Sequence, residues 1–181
     1  MSPSTLLGPA EALTAGEAGV GGKAWGLARL HEAGATVPPW SVVPASACLA
    51  AYEAGGLTGR MQVELTNLAG LDPTHGPDRR RLDATSKALR EAVSALALED
   101  ALTASLAAPW AVRSSMVGED SEAPSFAGQL DSYLFQSASD LPAAVARCWG
   151  SAFSPHALIY RLKAGLGGLP AVAVVVQRML S

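Results

Sequence analysis

Hydrophobic and polar positions alternate between two periods along the chain. Residues 18–34, AGVGGKAWGLARLHEAG, open on a glycine-rich turn and continue with Trp25, Leu27, Ala28 and Leu30 at helical spacing. Gly34 is the expected stop. TVPPWSVVP follows, where two prolines exclude helix and WSVV reads as a short strand. ASACLAAYEAG predicts a second helix, with Ser46 as its cap and Gly55–Gly56 as its end. Residues 56–82 carry the weakest pattern. Within them LDPTHGPDRRR reads as an exposed loop whose arginines form a solvated surface. Residues 83–108 predict a long alanine-rich helix, and APWAVRSS a strand cut off by Pro109.

Beyond a polar stretch, SYLFQS predicts a short strand. DLPAAVARCWGSAFSPHALIYRLKAG predicts helix, with Asp140 as N-cap, Pro142 in the first turn and a break at Pro155. After the turn GLGGLP, AVAVVVQRML is a run of β-branched residues expected to be a fully buried strand. Helices and short strands alternate irregularly, which predicts an α/β domain of the α+β type. The sequence stops at Ser181, directly behind that strand, and reads as cut rather than finished.

Composition narrows the function classes. The chain is 49% hydrophobic and 16% charged, with mean hydropathy +0.23, too apolar for a disordered chain. No apolar run approaches the roughly 18 residues of a membrane span. The first residues show neither a basic region nor an apolar core, so no secretory signal is read. A net charge of -3 argues against a general nucleic-acid binder. Cys48 and Cys148 stand far apart with no Cys/His cluster, so buried free thiols in a reducing cytoplasm are expected and a structural zinc is not. His31, His75 and His156 share no ligand spacing. Only three lysines are present, so Lys23 inside a glycine motif stands out.

Four stretches could carry chemistry. In GVGGKAWGL, glycines let backbone approach an anion and Lys23 offers a point charge for phosphate. The spacing is neither a Walker A loop nor a Rossmann fingerprint, and on the motif alone a turn before a helix with an exposed lysine is the favoured reading. Arg113, at the C-terminal edge of its strand, has a planar fork suited to phosphate oxygens. A structural ion pair with Glu119 or Asp120 is the alternative. SFAGQ, Ser125 to Gln129, can lay backbone N–H groups over a phosphate or be an ordinary connector. In VVVQRML, the region of Gln177 and Met179 can line an adenine pocket or simply end a core strand.

Order and spacing join these pieces. GGKAWGLARLHEAGATVPPWSVV, WAVRSSMVGEDSEAPSFAGQLDSYL, CWGSAFSPHALIYR and VAVVVQRML together resemble the N-terminal nucleotide-binding part of the phosphoenolpyruvate synthase and pyruvate phosphate dikinase family, which includes the rifampicin phosphotransferases. Residues 56–108 match only in kind. The resemblance implies the N-terminal lobe of an ATP-grasp fold, a mixed sheet with flanking helices occupying residues 1–181. It implies that Lys23 and Arg113 hold ATP phosphates, and that Ser125, Gly128 and Gln129 close over them. Gln177, Met179 and Leu180 would form the adenine edge. In the family, the β-phosphoryl group passes to a histidine on a swivelling domain and then to pyruvate or another acceptor, leaving AMP and phosphate.

The same resemblance implies that the second lobe, with the Mg²⁺ ligands, lies outside this sequence, as do the phosphohistidine and acceptor domains. A second polypeptide or missing domain is therefore the expected partner, with a non-catalytic remnant or interaction module as the alternative. Three positions depart from the family pattern. Ser132 replaces a commoner threonine, Trp40 a usual glycine and His156 a usual arginine.

Overall fold

A computed structural model describes residues 6–98, 109–116 and 131–180. Helix α1 spans Pro9–Glu32, followed by β1 (Trp40–Val43), α2 (Ala45–Ala54), α3 (Thr58–Leu68) and α4 (Gly76–Ser94). Strands β2 (Trp110–Ser115) and β3 (Ser132–Gln136) come next. A 3-10 turn leads into α5 (Leu141–Ser151), then α6 (Pro155–Lys163) and β4 (Ala173–Arg178).

The strands form one sheet in the order β1-β4-β2-β3, and every described pairing is antiparallel. This corrects the expectation of a mixed sheet. β1 and β2 do run parallel to one another, joined by the α2–α4 crossover. They are not neighbours, because β4 enters last, fills the gap between them and runs opposite to both. The buried valines of β4 follow from that central position, since both faces are covered.

Two apolar layers sandwich the sheet. On one face, Ala12, Val20, Ala24 and Ala28 of α1 pack on Trp40, Val42, Ala173 and Val175. On the other, residues of α2 and α4–α6 pack on Val43, Val112, Val174 and Val176. The alternation within β4, Val174 and Val176 to one side and Val175 to the other, is the period-2 pattern of a pleated strand. Tyr52, Trp149 and Phe153 meet edge to face in the larger layer. The Ser86 hydroxyl donates to the Phe153 carbonyl at 2.7 Å.

Several local readings hold and others change. Gly34, at φ +78°, ends α1 as expected. Its N–H reaches the His31 carbonyl and that of Ala35 reaches Leu30, the pair of bonds that closes a Schellman turn. Helix α1, however, begins at Pro9, well before the expected glycine turn. Proline at the first helical position and Glu11, whose carboxylate accepts the Gly8 N–H at 2.7 Å, start it. Residues 56–82 contain α3 and the start of α4 rather than only a loop. Met61 and Leu68, seven positions apart, bury one stripe of α3, a periodicity hidden by the surrounding glycines.

Helix α4 starts at Gly76 because Pro77 fits the first turn, where it breaks no bond, and it ends at Ser94. The remainder of the expected 83–108 helix, from residue 99, lies outside the described residues. Arg79, Arg80 and Arg81 are exposed as expected. Ser46 lies within the first turn of α2, whose N-cap is Pro44. Asp140 is the N-cap residue of α5 as expected, but its carboxylate makes no bond to that helix and turns back to accept the Ser137 N–H at 3.2 Å. The break at Pro155 is present, with Ser154 capping α6 through the Ala157 N–H at 3.2 Å.

Both cysteines are free and buried, and burial is the main cause pushing each thiol up to about 12. A thiol reagent at neutral pH should therefore find no fast-reacting cysteine in the native chain and both after denaturation. Rapid native labelling would contradict this packing. No described helix is long and apolar enough to cross a membrane.

Candidate functional site

The glycine turn and the end of β2 are locked together. Gly21 adopts φ +76° and ψ +165°, a backbone region essentially closed to side chains, and interrupts α1 there. A Cβ on Gly21 would lie 2.4 Å from the Ser115 carbonyl carbon and oxygen, so only glycine permits this approach. Two bonds hold the contact. The Gly22 N–H donates to the Met116 carbonyl at 2.9 Å, and the Ala24 N–H to the buried Ser115 hydroxyl at 3.1 Å. The first turn of the second α1 segment is thus satisfied by the strand end. Lys23, half-buried, stands between the two bonded residues at the sheet's end. It lies close enough to Cys148 to act electrostatically on that thiol.

Removing the Ser115 hydroxyl tests this clamp. Ser115→Ala leaves a buried N–H unpaired and should cost about 1–2 kcal/mol in a urea unfolding curve. An unchanged midpoint would mean the bond contributes nothing.

Arg113 lies inside β2 rather than at its edge, two residues before the strand ends. Its cross-strand partners are Val175 on β4 and Ser132 on β3. Because paired residues share a face, Arg113 is on the face that carries α1. One step along that face, Ala111 pairs with Gln177, which in turn pairs with Trp40. Arg113 and Gln177 are therefore diagonal neighbours on one face, roughly 7 Å apart along the strand direction. Both are half-buried. Met179 continues the β4 line, its N–H bonded to the Pro109 carbonyl at 3.0 Å. Leu180 is 79% exposed beside it.

Of the residues expected to form a site, Lys23, Arg113, Gln177 and Met179 thus follow one face of the sheet and its end. Ser125, Gly128 and Gln129 lie outside the described residues, as do Glu119 and Asp120. Met116 and Asp131 both lie at the sheet end where Lys23 sits. Asp131 accepts the Tyr133 hydroxyl at 2.9 Å and lies 3.8 Å from Arg90, so it is engaged on the far side. Sequence reading missed Ser115 and the two-residue projection at Leu134–Phe135. The only signal for the second was the adjacent Leu-Phe pair, which breaks strict alternation. Among the described residues no group of three His, Cys, Asp or Glu could hold a metal ion.

A guanidinium, an amide and the ammonium-bearing turn thus lie along one face and one end of the antiparallel sheet of an α+β domain. Comparison with known proteins makes the class definite. The chain belongs to the family described as pyruvate phosphate dikinase, AMP/ATP-binding domain, which matches residues 17–181.

It is 32% identical over 177 residues to a probable phosphoenolpyruvate synthase of Methanocaldococcus jannaschii, covering 89% of this chain and 14% of that protein. A probable phosphoenolpyruvate synthase of Methanothermobacter thermautotrophicus is 34% identical, over 88% of this chain and 25% of that protein. A rifampicin phosphotransferase of Bacillus cereus is 33% identical, over 89% of this chain and 19% of its own length. The chain therefore spans a quarter or less of each of these relatives.

Proposed function

We propose that this chain is the first lobe of an ATP-grasp nucleotide site in a dikinase-type phosphotransferase. Lys23 and Arg113 hold the phosphates. The segment with Ser125, Gly128 and Gln129 closes over them, and Gln177, Met179 and Leu180 take the adenine edge. The observation that carries the reading is the shared face of Arg113 and Gln177, with the glycine turn of Lys23 clamped to the same strand's end. A cationic end and a hydrogen-bonding, partly apolar end suit a molecule that is a polyphosphate at one end and a base at the other. Phosphoryl transfer depends chiefly on positioning and charge stabilisation, which arginine and lysine supply.

In this reading Mg²⁺ rides on the nucleotide phosphates and is held by carboxylates of a second lobe. The reaction moves the β-phosphoryl group to a histidine on another domain and then to pyruvate or a similar acceptor, leaving AMP and phosphate. Turnover then requires that second lobe and the histidine domain, in the same or a partner polypeptide. Residues 1–181 act in it as nucleotide holder.

A thermal unfolding series with Mg·ATP tests the binding step. At ten times its Kd, a ligand bound only by the native state adds about 1.4 kcal/mol and raises Tm by roughly 3–6 °C. No shift at millimolar Mg·ATP would count against the proposal.

A further inference from the structure

The β2–β3 pairing contains an irregularity next to this face. Val112 pairs with Tyr133 and Trp110 with Gln136, so Leu134 and Phe135 together stand opposite the single residue Ala111. Tyr133 packs into the helix-covered core, and Gln136 accepts a bond from Arg147 of α5 at 3.1 Å. The residues flanking the bulge therefore both face the α5 side. By strand alternation Leu134 turns to the other face, the one with Arg113 and Gln177, and Phe135 is the extra residue beside it.

Phe135 takes φ +55°, the sole non-glycine residue at positive φ among the described residues. A bulky aromatic in that region is an outlier and calls for an explanation. Its backbone N–H contacts the Met179 sulfur at 3.2 Å, tying the bulge to the end of β4. Despite this anchoring, Leu134 is 51% and Phe135 72% exposed.

Exposed apolar side chains held by a strained bulge, rather than tucked away, mark a surface made for contact. Their place decides what they contact. Leu134 and Phe135 flank Ala111 on one side and Gln177 flanks it on the other, with small Ala111 as the floor. The next rung holds Arg113 and Ser132. We infer that Leu134 and Phe135 form an apolar platform on which the aromatic base of the nucleotide rests, with Gln177 reading its edge. The inference rests on the nucleotide reading above and adds the residues that would select a base over a bare polyphosphate. Base–side-chain stacking tolerates any π-face, so the platform supplies affinity while Gln177 supplies discrimination.

The test compares Mg·ATP with Mg·tripolyphosphate in calorimetric titrations of the full chain and of the variants Phe135→Asn and Leu134→Asn/Phe135→Asn. Asparagine accepts positive φ more readily than phenylalanine, so both variants should fold, checked by circular dichroism. The platform predicts that the double variant binds ATP about tenfold more weakly while its tripolyphosphate affinity stays within about twofold. Phe135→Asn alone should show the same selective loss, smaller in size.

Unchanged ATP affinity would overturn the inference and leave the phosphate reading intact. So would an equal loss for both ligands, or wild-type affinity for ATP no greater than for tripolyphosphate. A dimer broken by the double variant, with ATP affinity unaltered, would give the patch to a second copy and overturn it too. A folded wild-type chain that binds neither ligand would overturn both the nucleotide reading and the platform.

Discussion

Gly21→Ala is expected to destabilise the chain by about 3–5 kcal/mol, a large share of the 5–15 kcal/mol that holds a typical domain together. Two separate costs add. The backbone at φ +76° and ψ +165° is strained for any residue with a Cβ, worth about 1–3 kcal/mol. The new methyl would also sit 2.4 Å from the Ser115 carbonyl, so β2 or α1 must move and the bonds at Gly22 and Ala24 stretch. Gly26→Ala is the matched control. Gly26 is in the same helix with nothing near its would-be Cβ, and alanine there should be neutral or stabilising by up to about 1 kcal/mol. Urea unfolding of the two variants reads the difference. A loss below about 1 kcal/mol for Gly21→Ala would mean the turn is not clamped as described.

Arg113→Ala is expected to weaken Mg·ATP binding by about 1–3 kcal/mol, or roughly 5- to 150-fold, as for a charge-assisted hydrogen bond to phosphate. Arg113 stands mid-strand on a face that it shares with Val175, Ala111, Ser132 and Gln177. Arg113→Lys keeps the charge but loses the fork, so it should recover only part of the affinity. The loss should appear equally with tripolyphosphate, which separates a phosphate contact from a base contact. Wild-type affinity in Arg113→Ala would remove Arg113 from the site.

Much of this was legible from local pattern. The β-branched run at 171–176, the prolines around WSVV and the glycine at position 34 each point to one structure, and each formed it. The errors have physical causes. Pro77 reads locally as loop punctuation, although proline is favourable in a helix's first turn. Helix α3 shows only two buried positions, too sparse a stripe to stand out beside Gly55, Gly56 and Gly59. The antiparallel sheet could not be read locally, because the insertion of β4 between β1 and β2 is a long-range event. Lys23 and Arg113 were visible as charges in unusual settings. Ser115 was not, since its role exists only once α1 folds back onto the strand end. The bulge at Leu134–Phe135 depends in the same way on the register across to β2.

The central claim is that this lobe holds a nucleotide through Arg113 and Lys23, and a calorimetric titration of the purified chain with Mg·ATP, with AMP in parallel, tests it most directly. The account predicts saturable Mg·ATP binding, weaker binding of AMP, and a loss of ATP affinity in Lys23→Ala as well as Arg113→Ala. A folded chain that takes up no heat at millimolar Mg·ATP, or whose binding ignores both substitutions, would contradict it.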